Sequence, residues 1–321
     1  MSFRTLALSL LLFVVVFYAG VYGWASLRTA RAEAANPPAG AFIEIDGARI
    51  HYVEAGAGPP VVLLHGAFGS LRDYTYDLMP KLAERYRVIA FDRPGLGYSD
   101  PLYPGVLASK AESPADQARR LAAAAAALGA DTPIVVGHSF GGIVAYAWAL
   151  DHDPAAVVSL AGVALPWPGD LGWIYTVNGT VLGGALVAPL ISALTPRARI
   201  DSGLVATFDP FDMPQGYDAH IGAYMPLRLA PFRTNAKQVN WLRPYVVEME
   251  KRYSALTLPI EIVHGGQDDT VPIAVHSGPL AARLDNVTLT VIDEAGHMPQ
   301  HSHTDATIAA IDRAAARAGL R

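Results

Sequence analysis

At 321 residues the chain has room for one large domain or two modest ones. Hydrophobic residues make up 52% and charged residues 17%, a balance that supports a sizeable core and excludes a largely disordered chain. A formal net charge of -5 leaves no basic footprint and argues against nucleic acid as a partner, and the absence of cysteine excludes disulfides, thiol catalysis and Cys-ligated metal.

The first segment, Thr5 to Trp24, is uncharged and mostly apolar, and its length of about 20 residues suits a helix crossing a bilayer. Tyr22 and Trp24 stand near its exit, where aromatic side chains favour the membrane interface. The expectation is a single-pass N-terminal membrane anchor within residues 1–33. Its orientation stays open, because Arg4 on one side faces Arg28 and Arg31 on the other. The competing reading is a cleaved signal peptide, since Ala30-Arg31-Ala32 and Ala32-Glu33-Ala34 both read as A-x-A, and the rest would then be secreted or periplasmic. Against cleavage, the apolar run exceeds a usual signal core and two arginines separate it from those sites.

Ala34 to Gly40, with Asn36-Pro37-Pro38, reads as a linker. Phe42–Ile45 and Arg49–Glu54 flank Asp46-Gly47 as a hairpin. Pro60–Leu64 is a buried-strand pattern, followed by His65-Gly66-Ala67-Phe68-Gly69-Ser70. A helix is expected over Tyr74–Arg85, then a strand over Arg87–Phe91 that stops at Asp92-Arg93-Pro94-Gly95-Leu96-Gly97. Ser113 or Asp116 can cap a helix through the six-alanine tract to Gly129. Ile134–Val136 and Ala156–Gly162 give two more strands. From Leu165 to about Leu258 this rhythm breaks into Pro-, Gly- and aromatic-rich sequence with short apolar segments such as Thr180–Leu194. It resumes with a strand at Ile260–His264, a helix over Ile273–Leu284, a strand over Val287–Ile292 and a last helix over Thr304–Ala318.

Alternating strands and helices imply an α/β fold with a mostly parallel sheet and helices on both faces. Residues 34–164 and 259–321 form its two parts, and 165–258 is an inserted helical lid over the carboxyl ends of the strands, where α/β ligands bind.

The strand before Ser139 ends abruptly in Gly137-His138-Ser139-Phe140-Gly141, and a helical segment follows. Strand, tight turn, helix is the context in which G-x-S-x-G means a nucleophile elbow. A serine nucleophile needs a base and an orienting acid. Downstream, the chain offers Asp268 or its neighbour Asp269, then His297, each just beyond an apolar strand and so at the same sheet edge as Ser139.

With H-G-x-F-G after the third strand, D-R-P-G-x-G-x-S after the fourth, G-H-S-F-G-G at the elbow, then G-x-x-D-x-x-V-P and G-H-M-P, the chain from Phe42 onward resembles a lidded α/β-hydrolase of the bacterial esterase and lipase-like kind. The resemblance implies catalysis by Ser139, His297 and Asp268, whose register it prefers over Asp269 and over the remote alternative Asp170. It implies an oxyanion hole from the backbone N–H groups of Ala67 and Phe140, with Phe68 as a candidate wall of the acyl pocket, and no cofactor or metal. It assigns His65 and His138 to hydrogen bonds within their turns, and Asp92 and Arg93 to shaping the site. His301 and His303, which with His297 spell H-x-x-x-H-x-H, read as a solvated helix start. Relatives with dehalogenase or epoxide hydrolase activity carry aspartate at the elbow, so Ser139 argues against those chemistries.

The expected activity is hydrolysis of a carboxylic ester, a small molecule with an apolar acyl or alkyl group, since the lid carries Leu182, Leu186, Phe208, Phe211 and Met225 among other apolar residues. Two other enzyme readings use the same triad: a peptidase of the proline-iminopeptidase type and a C–C bond hydrolase. The peptidase would need an acidic cluster for the substrate amine, for which the lid offers Asp201, Asp209, Asp212, Asp218, Glu248 and Glu250. A non-catalytic membrane-anchored binding protein is the reading from another class.

Overall fold

A computed structural model describes residues 2–105 and 107–321. Its centre is an eight-stranded sheet built from β1 (Ala41–Ile45), β2 (Ala48–Ala55), β3 (Pro60–Leu64), β4 (Arg87–Phe91), β5 (Ile134–His138), β6 (Ala156–Leu160), β7 (Ile260–Gly265) and β8 (Val287–Ile292). The spatial order is β1-β2-β4-β3-β5-β6-β7-β8. β1 and β2 form the hairpin, with Asp46 and Gly47 at φ 50° and 74°, the left-handed pair that a two-residue turn between twisted strands requires. β2 runs antiparallel to β4, and every pairing from β4 onward to β8 is parallel.

The central strands are buried on both faces, which is why they read as unbroken apolar runs. Val62, Leu64, Ile89, Phe91 and Val135 face the helices Pro114–Ala127 and Phe140–Asp151. Their neighbours Val61, Leu63, Val88, Ala90 and Val136 face Leu78–Leu82 and Thr304–Arg317. Ser113 caps its helix with a reciprocal box: its hydroxyl accepts from Asp116 N–H at 3.0 Å, and the Asp116 carboxylate accepts from Ser113 N–H at 3.1 Å.

Three element boundaries differ from the sequence expectation. The helix expected over Tyr74–Arg85 is two short pieces, Arg72–Thr75 and Leu78–Leu82. Pro80 has no N–H to give the Tyr76 carbonyl and its ring crowds that oxygen, so the chain breaks a turn before it, at Tyr76 and Asp77. The helix over Ile273–Leu284 shrinks to Ser277–Arg283, with a turn from Val275 N–H to Pro272 O ahead of it, because Pro279 likewise cannot bond back to Val275. The N-terminal helix runs from Phe3 through Ala35, so it takes in the first two linker residues and stops where Asn36 folds its amide back onto Ala32 O at 2.9 Å.

Between β6 and β7 lies the helical insertion, with helices Trp173–Asn178, Val181–Leu194, Arg197–Ala206, Tyr217–Ile221, Leu229–Asn240 and Leu242–Glu250. The N-terminal helix is long and apolar enough to cross a membrane, with a mean hydropathy of 2.3 over its most apolar stretch. It is exposed up to Phe17, and from Tyr18 onward it packs on the insertion.

Candidate active site

Ser139 stands between β5 and the helix Phe140–Asp151 at φ 52° and ψ -117°. A non-glycine residue held there costs on the order of 1–3 kcal/mol, so the surroundings must impose it. They do so through three backbone hydrogen bonds: Ser139 N–H to Leu160 O at 3.0 Å, and Ser139 O accepting from Gly142 and Val163 at 3.0 and 3.1 Å. The flanking glycines are sterically required. A Cβ on Gly137 would collide with the Gly141 carbonyl, and one on Gly141 with the Leu64 carbonyl.

Asp268 lies in the turn after β7. Its Oδ1 accepts the N–H groups of Thr270 and Val271, both at 2.9 Å. Its Oδ2 is then fixed 2.8 Å from His297 Nδ1 and 3.2 Å from His264 Nε2. Burial pushes this carboxyl upward, but hydrogen bonds from His264 and His297, the charge His297 can carry and the Val271 N–H outweigh it, holding the group well below the usual carboxylate range. The neighbouring Asp269 is exposed and reaches only the Thr270 hydroxyl, while Asp170 is exposed as well. His297 arrives on the loop after β8 and lines, with Ser139, a cavity of about 150 Å³.

The loop after β3 forms the opposite wall. Phe68 has φ 54°, and its ring packs 5.8 Å from those of Tyr175 and Phe232 in the insertion. Its N–H donates at 2.8 Å to Asn235 Oδ1. Asn235 is buried and lines the cavity; with its oxygen committed to Phe68, its Nδ2 has no protein partner. Among the described residues, the N–H groups of Ala67 and Phe140 also meet no protein acceptor.

The polar residues of the motifs nearby form a buried scaffold. Asp92 accepts from His51 Nδ1 at 2.6 Å and from the N–H groups of Leu71 and Tyr98, both at 2.8 Å. Arg93 donates to the carbonyls of His65 and Gly66 and to Gln117 and Gln238. His65 keeps one bond within its turn, donating from Nδ1 to Gly66 O at 2.9 Å, while its Nε2 reaches beyond it to accept Arg93 N–H at 3.0 Å. His138 instead bonds across the site, from Nε2 to His297 O at 2.9 Å. Burial pushes both His65 and His138 down to about 4, with the positive charge of Arg93 adding to the effect at His65 and that of His297 at His138.

His301 corrects the sequence reading. Its side chain is buried rather than solvated, because its Nε2 donates to Asp73 Oδ1 at 2.6 Å, with Tyr217 donating to the same oxygen. Asp73 lines the cavity, and the His301 bond and charge outweigh burial to hold its carboxyl well below the usual range. His303 is half-buried and bonds Ser302 and Glu294. No carboxylate of the insertion lines the cavity among the described residues: Asp201 and Asp218 pair with Arg197, Glu248 with Lys251 and Glu250 with Arg283. Sequence reasoning missed Asn235, Asp73 and His264. His264 directly precedes the G-x-x-D-x-x-V-P motif, but Asn235 sits 167 residues from its partner Phe68 with no local signature.

Residues 61–310 match the alpha/beta hydrolase family, and the chain belongs to that family. Among curated relatives it is 31% identical over 265 residues to the dihydrolipoyllysine-residue acetyltransferase component of the acetoin cleaving system of Cupriavidus necator, covering 81% of this chain and 64% of that one. It is 29% identical to the 2-hydroxy-6-oxo-6-phenylhexa-2,4-dienoate hydrolase of Burkholderia cepacia, covering 80% of this chain and 88% of the relative. Among solved structures it is similar to an alpha/beta hydrolase fold protein from Burkholderia ambifaria, with a TM-score of 0.68 and 25% identity over 84% of this chain and 96% of that one. A thermophilic esterase from Thermogutta terrifontis has a TM-score of 0.65 at 20% identity, covering 87% of this chain and 99% of that one, a likeness of fold.

Proposed function

We propose that the protein is a serine hydrolase that cleaves a carboxylic ester with an apolar acyl or alkyl group through an acyl-enzyme. The observation that carries this reading is the buried His297–Asp268 pair at 2.8 Å, whose histidine lines one cavity with a serine held at positive φ. Ser139 Oγ attacks the ester carbonyl while His297 takes its proton, and the carbonyl π electrons move onto oxygen. The N–H groups of Ala67 and Phe140 receive that oxyanion. Donors of this kind contribute about 2.7–4 kcal/mol each when aimed at the developing charge. Collapse expels the alcohol, which takes the proton from His297, and water then repeats the sequence to release the acid. Asp268 holds the imidazole tautomer and stabilises its protonated form.

Residues 165–258 act as the lid, and the N-terminal helix anchors the protein in a membrane. The ester reading is favoured over an aminopeptidase because the cavity's carboxylate, Asp73, is already committed to His301 and Tyr217. C–C bond hydrolysis is the second reading, favoured by similarity to the Burkholderia cepacia hydrolase across most of both chains. A fluorophosphonate probe should label the parent and not Ser139→Ala. A panel of p-nitrophenyl esters of rising chain length, with amide, lactone and vinylogous diketone controls, then separates the activities. Turnover confined to the diketone would replace the ester reading, and an unlabelled parent would remove the enzyme reading altogether.

A further inference from the structure

The N-terminal helix does more than leave the domain. Tyr18 and Tyr22 donate to the carbonyls of Leu186 and Ala185 at 3.2 and 2.8 Å, and Arg28 donates to those of Ala193 and Thr195 at 2.8 and 2.9 Å. From these contacts the N-terminal helix and Val181–Leu194 run side by side in the same direction. The start of Val181–Leu194 therefore lies alongside the residues just before Tyr18, the fully apolar and exposed part of the N-terminal helix. At 33 residues that helix is about 50 Å long, whereas a bilayer core is about 30 Å thick. The stretch up to about Phe17 covers most of that core, and the lid is bound directly below it.

The lid surface at this level is apolar. Leu182 is 73% exposed and Leu186 45%, and on the adjoining helix Trp173 is 63% and Val177 37% exposed. On its other side the same short helix places Tyr175 against Phe68, which lines the cavity. One helical hairpin thus has its outer side beside the membrane span and its inner side on the candidate site.

We propose that the hairpin Trp173–Leu194 is inserted in the lipid bilayer next to the N-terminal span, and that the substrate is a lipophilic ester that enters from the bilayer. The proposal rests on the membrane and ester readings above. Continuity with the apolar helix selects lipid as the occupant: a patch hydrogen-bonded onto a membrane-spanning helix at interfacial depth is held against lipid by the same chain. Apolar burial at the bilayer boundary, with an aromatic residue such as Trp173 at its edge, is the usual mode of interfacial attachment.

The cysteine-free sequence makes the test clean, because one introduced thiol is the sole labelling site. The full chain carrying Leu182→Cys is labelled with an environment-sensitive fluorophore in phosphatidylcholine vesicles containing nitroxide lipids. Asp131→Cys, exposed just before the amino end of β5 and so at the opposite end of that strand from Ser139, is the control. The proposal expects strong quenching at 182 and little at 131. Equal or absent quenching at 182 overturns it, and so does a blue-shifted but unquenched label, which would mark a protein contact. In the doubly substituted chain Leu182→Asp, Leu186→Asp, hydrolysis of a long-chain ester dissolved in the vesicles should fall roughly tenfold, with a water-soluble short ester unaffected. Equal loss on both esters overturns the entry route. A parent inactive on both esters defeats the ester reading, while quenching still decides the surface. A parent released by carbonate defeats the anchor reading instead.

Discussion

The guanidinium of Arg93 lies 4.3 Å from the ring centroid of Phe140 while its Nε and Nη2 donate to the carbonyls of His65 and Gly66 at 2.8 and 3.0 Å. One buried side chain therefore joins the two backbone segments whose N–H groups, on Phe140 and Ala67, we assign to the oxyanion hole. Burial lowers its pKa to about 9, which leaves it charged at neutral pH. Arg93→Lys keeps the charge but loses the planar fork that reaches both carbonyls. We expect kcat to fall by about 10²-fold, as for loss of one oxyanion donor, with a modestly lower Tm. A lowered Tm with parental kcat would show that Arg93 supports the fold and does not set the oxyanion geometry.

The two adjacent carboxylates after β7 should differ sharply. Asp268 is buried against His297 and His264, whereas Asp269 faces solvent. Asp268→Asn should cut kcat by about 10⁴-fold, because the amide favours the wrong imidazole tautomer. Asp269→Asn should remain within a few-fold of the parent and within about 0.5 kcal/mol in stability. Comparable losses from the two substitutions would reassign the acid.

Asn235 ties the insertion to the loop after β3, and its Nδ2 is left without a protein partner at the cavity wall. Asn235→Ala frees the Phe68 N–H and removes that donor. The expected cost is about 1–3 kcal/mol in stability from the unsatisfied buried group. Steady-state kinetics should also show kcat/KM lowered by more than tenfold. Unchanged kinetics would mean that the loop keeps its shape without the lid.

Stability should decline as pH falls through the weakly acidic range. His65 and His138 have pKa values near 4 in the folded protein, against 6.5 for an unburied histidine. Between those values the unfolded chain binds more protons, so stability rises with pH there and is lost as pH drops below about 6.5. The slope for each histidine approaches about 1.4 kcal/mol per pH unit. Below the ordinary carboxylate value of 3.8, Asp73 and Asp268 add to the loss, because their folded pKa values are depressed and their stabilisation exists only while they are ionised. Urea midpoints that stay level between about pH 7 and about pH 4.5 would contradict the buried neutral state of these histidines.

Much of the scaffold was legible before any coordinates, and the reasons are local. Doubly buried parallel strands need continuous apolar runs, so Pro60–Leu64 and Arg87–Phe91 declared both their type and their ends. The elbow was legible because its backbone tolerates only glycine at 137 and 141. Helix limits were less so where proline acts a turn away from the break it causes, as Pro80 and Pro279 do.

The sequence by itself determined the α/β architecture, the position of Ser139 and a short set of candidate partners, since each depends on residues within one turn or one strand. The family register favoured Asp268 over Asp269, and only the tertiary structure shows the physical difference between them, since Asp268 is buried against a histidine 29 residues away. The same holds for His301, whose partner Asp73 is 228 residues distant, and for Asn235 at 167. The docking of the N-terminal helix on the insertion was equally invisible, because Tyr18, Tyr22 and Arg28 bond to backbone carbonyls, which carry no side-chain signature in any sequence.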